Sequence, residues 1–185
     1  MTIMKKPLLL LAAAILLTAC GPNSHPGYEE RISQIETVED SLFAHNDEFD
    51  TVAADRLTEL YLAFADEYPN DSLTPQYLMN AAEMQSNVLH TDRAVQIFDR
   101  IINDYADFPD VPLCYLLIGH AYDLNCQYEE ARDAYQLFVD KFPDHFMADD
   151  IRLMIPTMGM TPEELFDYNL SRLSGNKDSV APIAI

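Results

Sequence analysis

Two stretches of this chain follow one pattern: residues 75–108 read PQYLMNAAEMQSNVLHTDRAVQIFDRIINDYADF, and residues 112–145 read PLCYLLIGHAYDLNCQYEEARDAYQLFVDKFPDH. Matching positions lie 37 residues apart and extend into the preceding segment, in three series: Tyr61, Phe98 and Tyr135; Phe64, Ile101 and Phe138; Tyr68, Tyr105 and Phe142. A fixed period of this length indicates one supersecondary unit that stacks on copies of itself. Such an array typically builds a surface that holds a partner.

Within each unit the apolar residues recur at three- and four-residue steps, which predicts amphipathic helices. An apolar stripe that begins at Ile32 predicts the first helix. A second stripe, which ends at Pro69, predicts the second helix. The next four are predicted at 76–88, 92–105, 113–124 and 129–142. A seventh begins near Asp149 and meets Pro156, and an eighth begins at Thr161. The chain is therefore expected to be all-α, with about four helix pairs.

Local signals mark several helix ends. Thr74 is predicted to cap the third helix, with Pro75 at its first position. Thr161 is predicted to cap the eighth helix, and Glu164 to complete a capping box. We expect the eighth helix to bury its apolar side chains, which are Leu165, Phe166, Leu170 and Leu173.

Five residues of the best-formed unit resemble a known family: Gly119, Tyr122, Ala131, Tyr135 and Pro143. Their types and spacing are similar to the tetratricopeptide pattern. The resemblance implies a right-handed solenoid over residues 28–173. The long turn that follows each aromatic-proline ending resembles the BamD-type lipoproteins of outer-membrane protein assembly. It is also similar to periplasmic cell-division coordinators with such repeats.

The resemblance also implies a partner groove, because in this family the first helix of each pair lines the concave face. Carried over position by position, the groove residues are Met79, Glu83, Asn87, Leu116, His120 and Asp123. A mixed apolar and acidic groove of this kind suits an extended peptide or a partner helix. The alternative is that these residues form ordinary solvated helix faces.

The N-terminus has the order of an export signal. Lys5 and Lys6 precede an apolar run, Leu8 to Leu17, which is too short to be a stable membrane span. The following Leu-Thr-Ala-Cys resembles the lipobox of bacterial lipoproteins, which implies acylation at Cys20 and several lipid chains. An ordinary secretory signal with a chance cysteine is the alternative. Residues 1–19 are thus predicted to be a signal peptide and 20–27 a flexible tether.

At the other end of the chain, residues 174–185 have no periodic pattern, which predicts a disordered tail.

The residue after Cys20 bears on which membrane holds the protein. Gly21 follows the cysteine where an aspartate would indicate inner-membrane retention. The outer membrane is therefore favoured, with the protein on its periplasmic face.

The 185-residue chain has a formal net charge of −20. Nucleic-acid binding needs a basic face, so this balance argues against it. An acidic surface that keeps the protein soluble explains the charge, and recognition of a cationic partner is the alternative.

Motifs of catalysis are absent from the sequence. Cys114 and Cys126 are too far apart along one helix to pair, so both are interpreted as small buried residues. The histidines lack metal-ligand spacing, and no glycine-rich phosphate loop or nucleophile motif occurs. We predict no enzyme activity, metal or cofactor.

The sequence therefore predicts a membrane-anchored adaptor for protein–protein interaction in the bacterial cell envelope, with outer-membrane protein assembly as one setting. The competing hypothesis is a surface or periplasmic lipoprotein that captures peptide or glycan. Neither the partner nor the oligomeric state follows from the sequence.

Overall fold

The computed structural model describes residues 27–43 and 50–175, and all regular structure within these ranges is helical. The α-helices are α1, Tyr28–Phe43; α2, Thr51–Glu67; α3, Thr74–Asn87; α4, Thr91–Asp104; α5, Val111–Leu124; α6, Tyr128–Lys141; α7, Ala148–Met154; and α8, Pro162–Gly175. A short 3₁₀ helix, Ile155–Thr157, extends α7. None of the described helices is both long enough and apolar enough to cross a bilayer.

Helices adjacent in the chain pack against each other from α1 through α7, and α3 also contacts α5. The first helices of the second and third pairs therefore lie side by side. This arrangement confirms the predicted all-α, tetratricopeptide-like solenoid of helix pairs. The predicted signal peptide, Cys20 and the tether up to residue 26 lie outside the described residues.

The 37-residue period corresponds to equivalent places in the core. Tyr61, Phe98 and Tyr135 are all buried on the second helix of their pair, and so is the series that begins at Phe64. Two hydrophobic clusters result, one over the first pairs and α5, the other between α5, α6 and α7. Equivalent burial along the array explains why one aromatic pattern recurs in all three units.

Gly119 shows why the repeat needs a small residue. A Cβ at this position would lie 2.6 Å from Cδ1 of Tyr135, well inside van der Waals contact. The missing side chain lets the Tyr135 ring of α6 sit directly on the backbone of α5. The equivalent residue in α3, Ala82, is fully buried.

One predicted helix cap was wrong. The α3 helix already includes Thr74, and the residue before it, Leu73, makes no capping hydrogen bond through its side chain. The Thr74 hydroxyl instead donates to the carbonyl oxygen of Tyr68 at the end of α2, at 2.6 Å. It thereby satisfies a terminal carbonyl of the preceding helix and ties α2 to α3.

The eighth helix forms as predicted but does not pack as predicted. The capping box is present, because the Thr161 N–H donates to Glu164 Oε2 at 2.8 Å and the Glu164 N–H donates to Thr161 Oγ1 at 3.2 Å. The expected burial of Leu165, Phe166, Leu170 and Leu173 was wrong, since all four are exposed. No other described helix forms a packing interface with α8. Helix α8 also includes Ser174 and Gly175, and the rest of the predicted tail lies outside the described residues.

The two cysteines of the repeat region differ in their exposure to solvent. Both are free, as expected, and Cys114 is buried in the core. The predicted burial of Cys126 was wrong, because this residue is exposed in the turn after α5 with a φ of 57°. Its backbone takes up the left-handed conformation that reverses the chain between α5 and α6.

Candidate partner-binding face

The six predicted groove residues differ in how far they are buried. Met79 and Leu116 are 3% and 5% exposed and belong to the hydrophobic core. Glu83, Asn87 and His120 are exposed, and Asp123 is half-buried. The polar residues are thus accessible to a partner, whereas the two apolar residues have almost no free surface.

Packing within the solenoid accounts for the two buried residues. The thioether of Met79 lies 3.8 Å from the Cys114 thiol, so it fills the space between α3 and α5. Leu116 belongs to the cluster that includes Tyr135 and Phe138 of α6. Both side chains contribute to stability and offer a partner little contact area.

Exposed and half-buried residues of α3 and α5 form two matching stripes, which we call the α3–α5 face. Its positions recur at steps of four, three and four residues, which places them on one side of each helix. The stripe consists of Gln76, Asn80, Glu83 and Asn87 on α3, and of Leu113, Leu117, His120 and Leu124 on α5. Each α5 position is 37 residues after its α3 counterpart, and the helices contact each other, so the two stripes lie side by side.

Sequence reasoning missed a large part of this face. It did not select Gln76 and Asn80 on α3 or Leu113 and Leu117 on α5. These four residues lie one and two turns before Glu83 and His120 on the same sides of the helices, so the helical repeat alone could have identified them.

The two halves of the α3–α5 face differ in chemistry. The α3 half is polar, and its Gln76 amide donates to Asn80 Oδ1 at 2.9 Å. On α5, Leu113 and Leu117 are half-buried and Leu124 is exposed, which leaves His120 as the polar residue of that stripe. The face therefore presents hydrogen-bonding groups on one side and an apolar strip on the other.

Glu83 is the charged residue in the α3 stripe. Desolvation by the surrounding protein raises the pKa of its carboxyl above the ordinary value. Among the described residues it has no ion-pair partner, whereas Glu59 and Asp66 of α2 pair with Arg93 and Arg100 of α4. Burial thus makes the charged form of Glu83 less favourable than it would be in water, and a cationic group bound beside it would stabilise that form.

The described residues offer little for catalysis. They contain no group of three or more His, Cys, Asp or Glu side chains able to hold a metal ion. Burial raises the pKa of the Cys114 thiol to about 12, so this thiol stays protonated at neutral pH and is a poor nucleophile.

The comparisons with known proteins agree with this geometry. A model of the tetratricopeptide repeat family matches residues 114–145, which comprise most of α5, all of α6 and the turn that follows. No curated protein matches the chain. The third helix pair is thus similar to a tetratricopeptide repeat, a unit that generally mediates protein–protein interaction.

Proposed function

We propose that this protein is a membrane-anchored adaptor that holds a segment of an envelope protein on the α3–α5 face. The observation that carries the proposal is the pair of repeat-equivalent stripes of exposed and half-buried residues on adjoining helices, one polar and one largely apolar. An extended peptide or an amphipathic helix with apolar side chains toward α5 and a cationic side chain toward Glu83 fits this face. The resemblance to BamD-type lipoproteins supports outer-membrane protein assembly as the setting.

The proposed anchor is a lipid on Cys20. It is supported by the order of basic residues, apolar run and Leu-Thr-Ala-Cys at the N-terminus. Several acyl chains on one cysteine would hold the protein stably, since each buried CH₂ contributes about 0.8 kcal/mol. The proposed location is the periplasmic face of the outer membrane.

The anchor is tested by matched cysteine variants in cells given labelled palmitate. We expect Cys20→Ser to lose the label and to leave the membrane fraction, while Cys126→Ser keeps both, because Cys126 lies in a turn of the folded domain. Label and membrane retention unchanged in Cys20→Ser would contradict the anchor.

The face is tested by reversing one charge. Cells expressing the full-length protein would be treated with a crosslinker, extracted in mild detergent and analysed for captured envelope proteins. We expect Glu83→Arg to reduce recovery of the partner strongly. Asp133→Arg on α6, an exposed acid outside the face, should leave recovery unchanged.

Equal recovery with both variants, or equal loss, would rule out the α3–α5 face as the binding site. Capture of a soluble peptide or glycan by the protein alone, together with digestion by protease added to intact cells, would support the competing ligand-capture function instead.

A further inference from the structure

Tyr61 carries a hydroxyl group that its place in the core does not require. The residue at the same repeat position in the second pair is Phe98, whose ring is fully buried without a hydroxyl. The Tyr61 side chain is 2% exposed, and its ring stacks on Tyr77 with centroids 5.1 Å apart, a contact that needs only the ring. The hydroxyl of Tyr61 is therefore explained by its own contacts, which differ from those of the core.

These contacts lie where α1 meets α3. The Tyr61 hydroxyl donates a hydrogen bond to Glu39 Oε1 on α1. The side-chain amide of Asn80 on α3 hydrogen-bonds the same hydroxyl, and Asn80 Oδ1 accepts from the Gln76 amide at 2.9 Å. Because Glu39 and Asn80 bond to one oxygen atom, the Glu39 carboxyl group lies beside the α3 half of the α3–α5 face.

A second carboxyl group of α1 lies on the same side. Glu36 precedes Glu39 by three residues, so the two side chains are neighbours on the helix surface. Burial raises the pKa of the Tyr77 hydroxyl to about 12, and the nearby charges of Glu39 and Glu36 add to this shift. Neither glutamate has an ion-pair partner among the residues that the structure describes. Both therefore border α3 as uncompensated acids.

The surface from α1 across α3 to α5 changes in chemistry from one edge to the other. Helix α1 contributes two carboxyl groups, the α3 stripe is mainly amides, and the α5 stripe is mainly leucine. Helices α3 and α5 contain no Lys or Arg, and Arg31 of α1 pairs with Glu67 of α2 at 3.0 Å. The acidic edge and the apolar edge are thus separated by a neutral, hydrogen-bonding strip.

The width of this surface suits a short segment of a partner. Helices that pack side by side have axes about 8–10 Å apart, so α1 and α5 lie about 20 Å apart across α3. An extended segment spans this distance with about six residues, since each residue advances about 3.3 Å. One short segment can therefore contact both edges at once.

We propose that the α3–α5 face continues onto α1 and binds a partner segment in one direction, with basic residues over Glu36 and Glu39 and apolar residues over α5. This inference rests on the proposed function and adds the polarity of the bound segment. Charge attraction at one edge and apolar contact at the other fix how the segment crosses the helices. Tyr61 is a positioning residue, because its hydroxyl holds Glu39 beside Asn80.

The first test compares two short fluorescent peptides of identical composition, each titrated with the full-length protein in neutral detergent. One peptide has its lysines in one half and its leucines in the other, and in the second peptide they alternate. We expect the segregated peptide to bind about tenfold more tightly by fluorescence anisotropy, with the difference falling as salt is added. Equal affinities, or no detectable binding of either peptide, would overturn the proposal.

The second test assigns the preference to α1. Replacing the two acids together, Glu36→Gln with Glu39→Gln, should remove most of the preference for the segregated peptide. Glu30→Gln is the matched control, because Glu30 is exposed on the same helix but lies nine residues before Glu39, on the opposite side. An equal loss with the control would mean that the net charge of the protein, and not this edge, attracts the peptide.

The positioning role of Tyr61 is tested by Tyr61→Phe. We expect this variant to lower the preference while circular dichroism stays unchanged, since Phe98 fills the equivalent site. In a Glu39→Gln background the same substitution should have no further effect, because the hydroxyl acts through that carboxyl group. Equal weakening of both peptides, or full additivity with Glu39→Gln, would overturn this role.

The third test measures polarity by photocrosslinking and mass spectrometry of the labelled fragments. A photoreactive group at the lysine end of the segregated peptide should label α1, and one at the leucine end should label α5. Equal or reversed labelling would overturn the polarity and leave the α3–α5 face as the binding site. Labelling of neither α3 nor α5 from either end would overturn the proposed function as well.

Discussion

The third and fourth helix pairs have similar hydrophobic patterns in the sequence but differ in how their two helices pack. In α5–α6 the second helix lies on the first, with Tyr135 against the backbone of Gly119. In α7–α8 both helices form, yet α8 packs on no other described helix and its apolar side chains are exposed. An apolar stripe is therefore sufficient to specify a helix, but not to dock it.

The difference lies in the residues around the turn. After α5 the Gln127 N–H donates to the Tyr122 carbonyl at 2.9 Å, and after α3 the His90 N–H donates to the Gln85 carbonyl at the same distance. These bonds close the two regular pairs. After α7, Pro156 replaces the small residue at the repeat position of Gly119, and it ends the helix before a comparable turn can form.

The two pairs should differ most in how much the free energy of unfolding falls when an aromatic side chain of the second helix is truncated. Phe138→Ala removes a fully buried ring from α6 and is expected to lower the free energy of unfolding by about 3–5 kcal/mol. Phe166→Ala on exposed α8 should change it by less than about 0.5 kcal/mol. Urea unfolding followed by circular dichroism measures both. Similar losses would mean that α8 packs on its own chain.

Placing alanine at equivalent positions gives a smaller effect of the same kind. Gly119→Ala would place a Cβ against the Tyr135 ring and should cost about 1–3 kcal/mol. Pro156→Ala, at the matching exposed position after α7, should be neutral or slightly stabilising, because no second helix lies over it. Thermal unfolding of the two variants checks this. A Gly119→Ala protein as stable as the wild type would contradict the close approach of α6.

The smallest expected effect concerns the capping box of α8 and its dependence on pH. Hydrogen bonds from the Thr161 backbone and hydroxyl lower the pKa of the Glu164 carboxyl below its ordinary value of 4.5. The cap therefore stabilises α8 fully above about pH 4.5 and loses this effect as the pH falls through the lower, folded-state pKa.

We expect acidification through this range to reduce the helical NMR signals of residues 162–175 before those of α6 change. Glu164→Gln should abolish the pH dependence, while Glu163→Gln, which lacks these bonds, should keep it. A pH response equal in both variants would mean that another group controls α8.

Much of the array could be predicted from the sequence because its signals are local. The 37-residue spacing of the aromatic residues, Pro75 at the start of α3 and the capping box at Thr161 each act within one or two helical turns. The predicted bounds of the four central helices agree with the structure to within two residues. The exposed polar residues Glu83, Asn87 and His120 were also selected, from the resemblance to the family, although their role in binding stays a prediction.

Contacts across helices escaped prediction for a physical reason. Gln85 replaces the tyrosine of the family pattern, and only the fold shows that its buried amide donates to Asp55 and Thr58 while His90 contacts its oxygen. Met79 and Leu116 were likewise predicted to line the groove, but neighbouring helices bury both of them.

The sequence by itself determined the helices, their pairing order and the repeat, because hydrophobic period and turn residues act over short distances along the chain. Only the tertiary structure decided which apolar faces are covered. That outcome depends on contacts between different helices, such as those of the buried Gln85 amide with Asp55 and Thr58, which leave no periodic signal in the sequence.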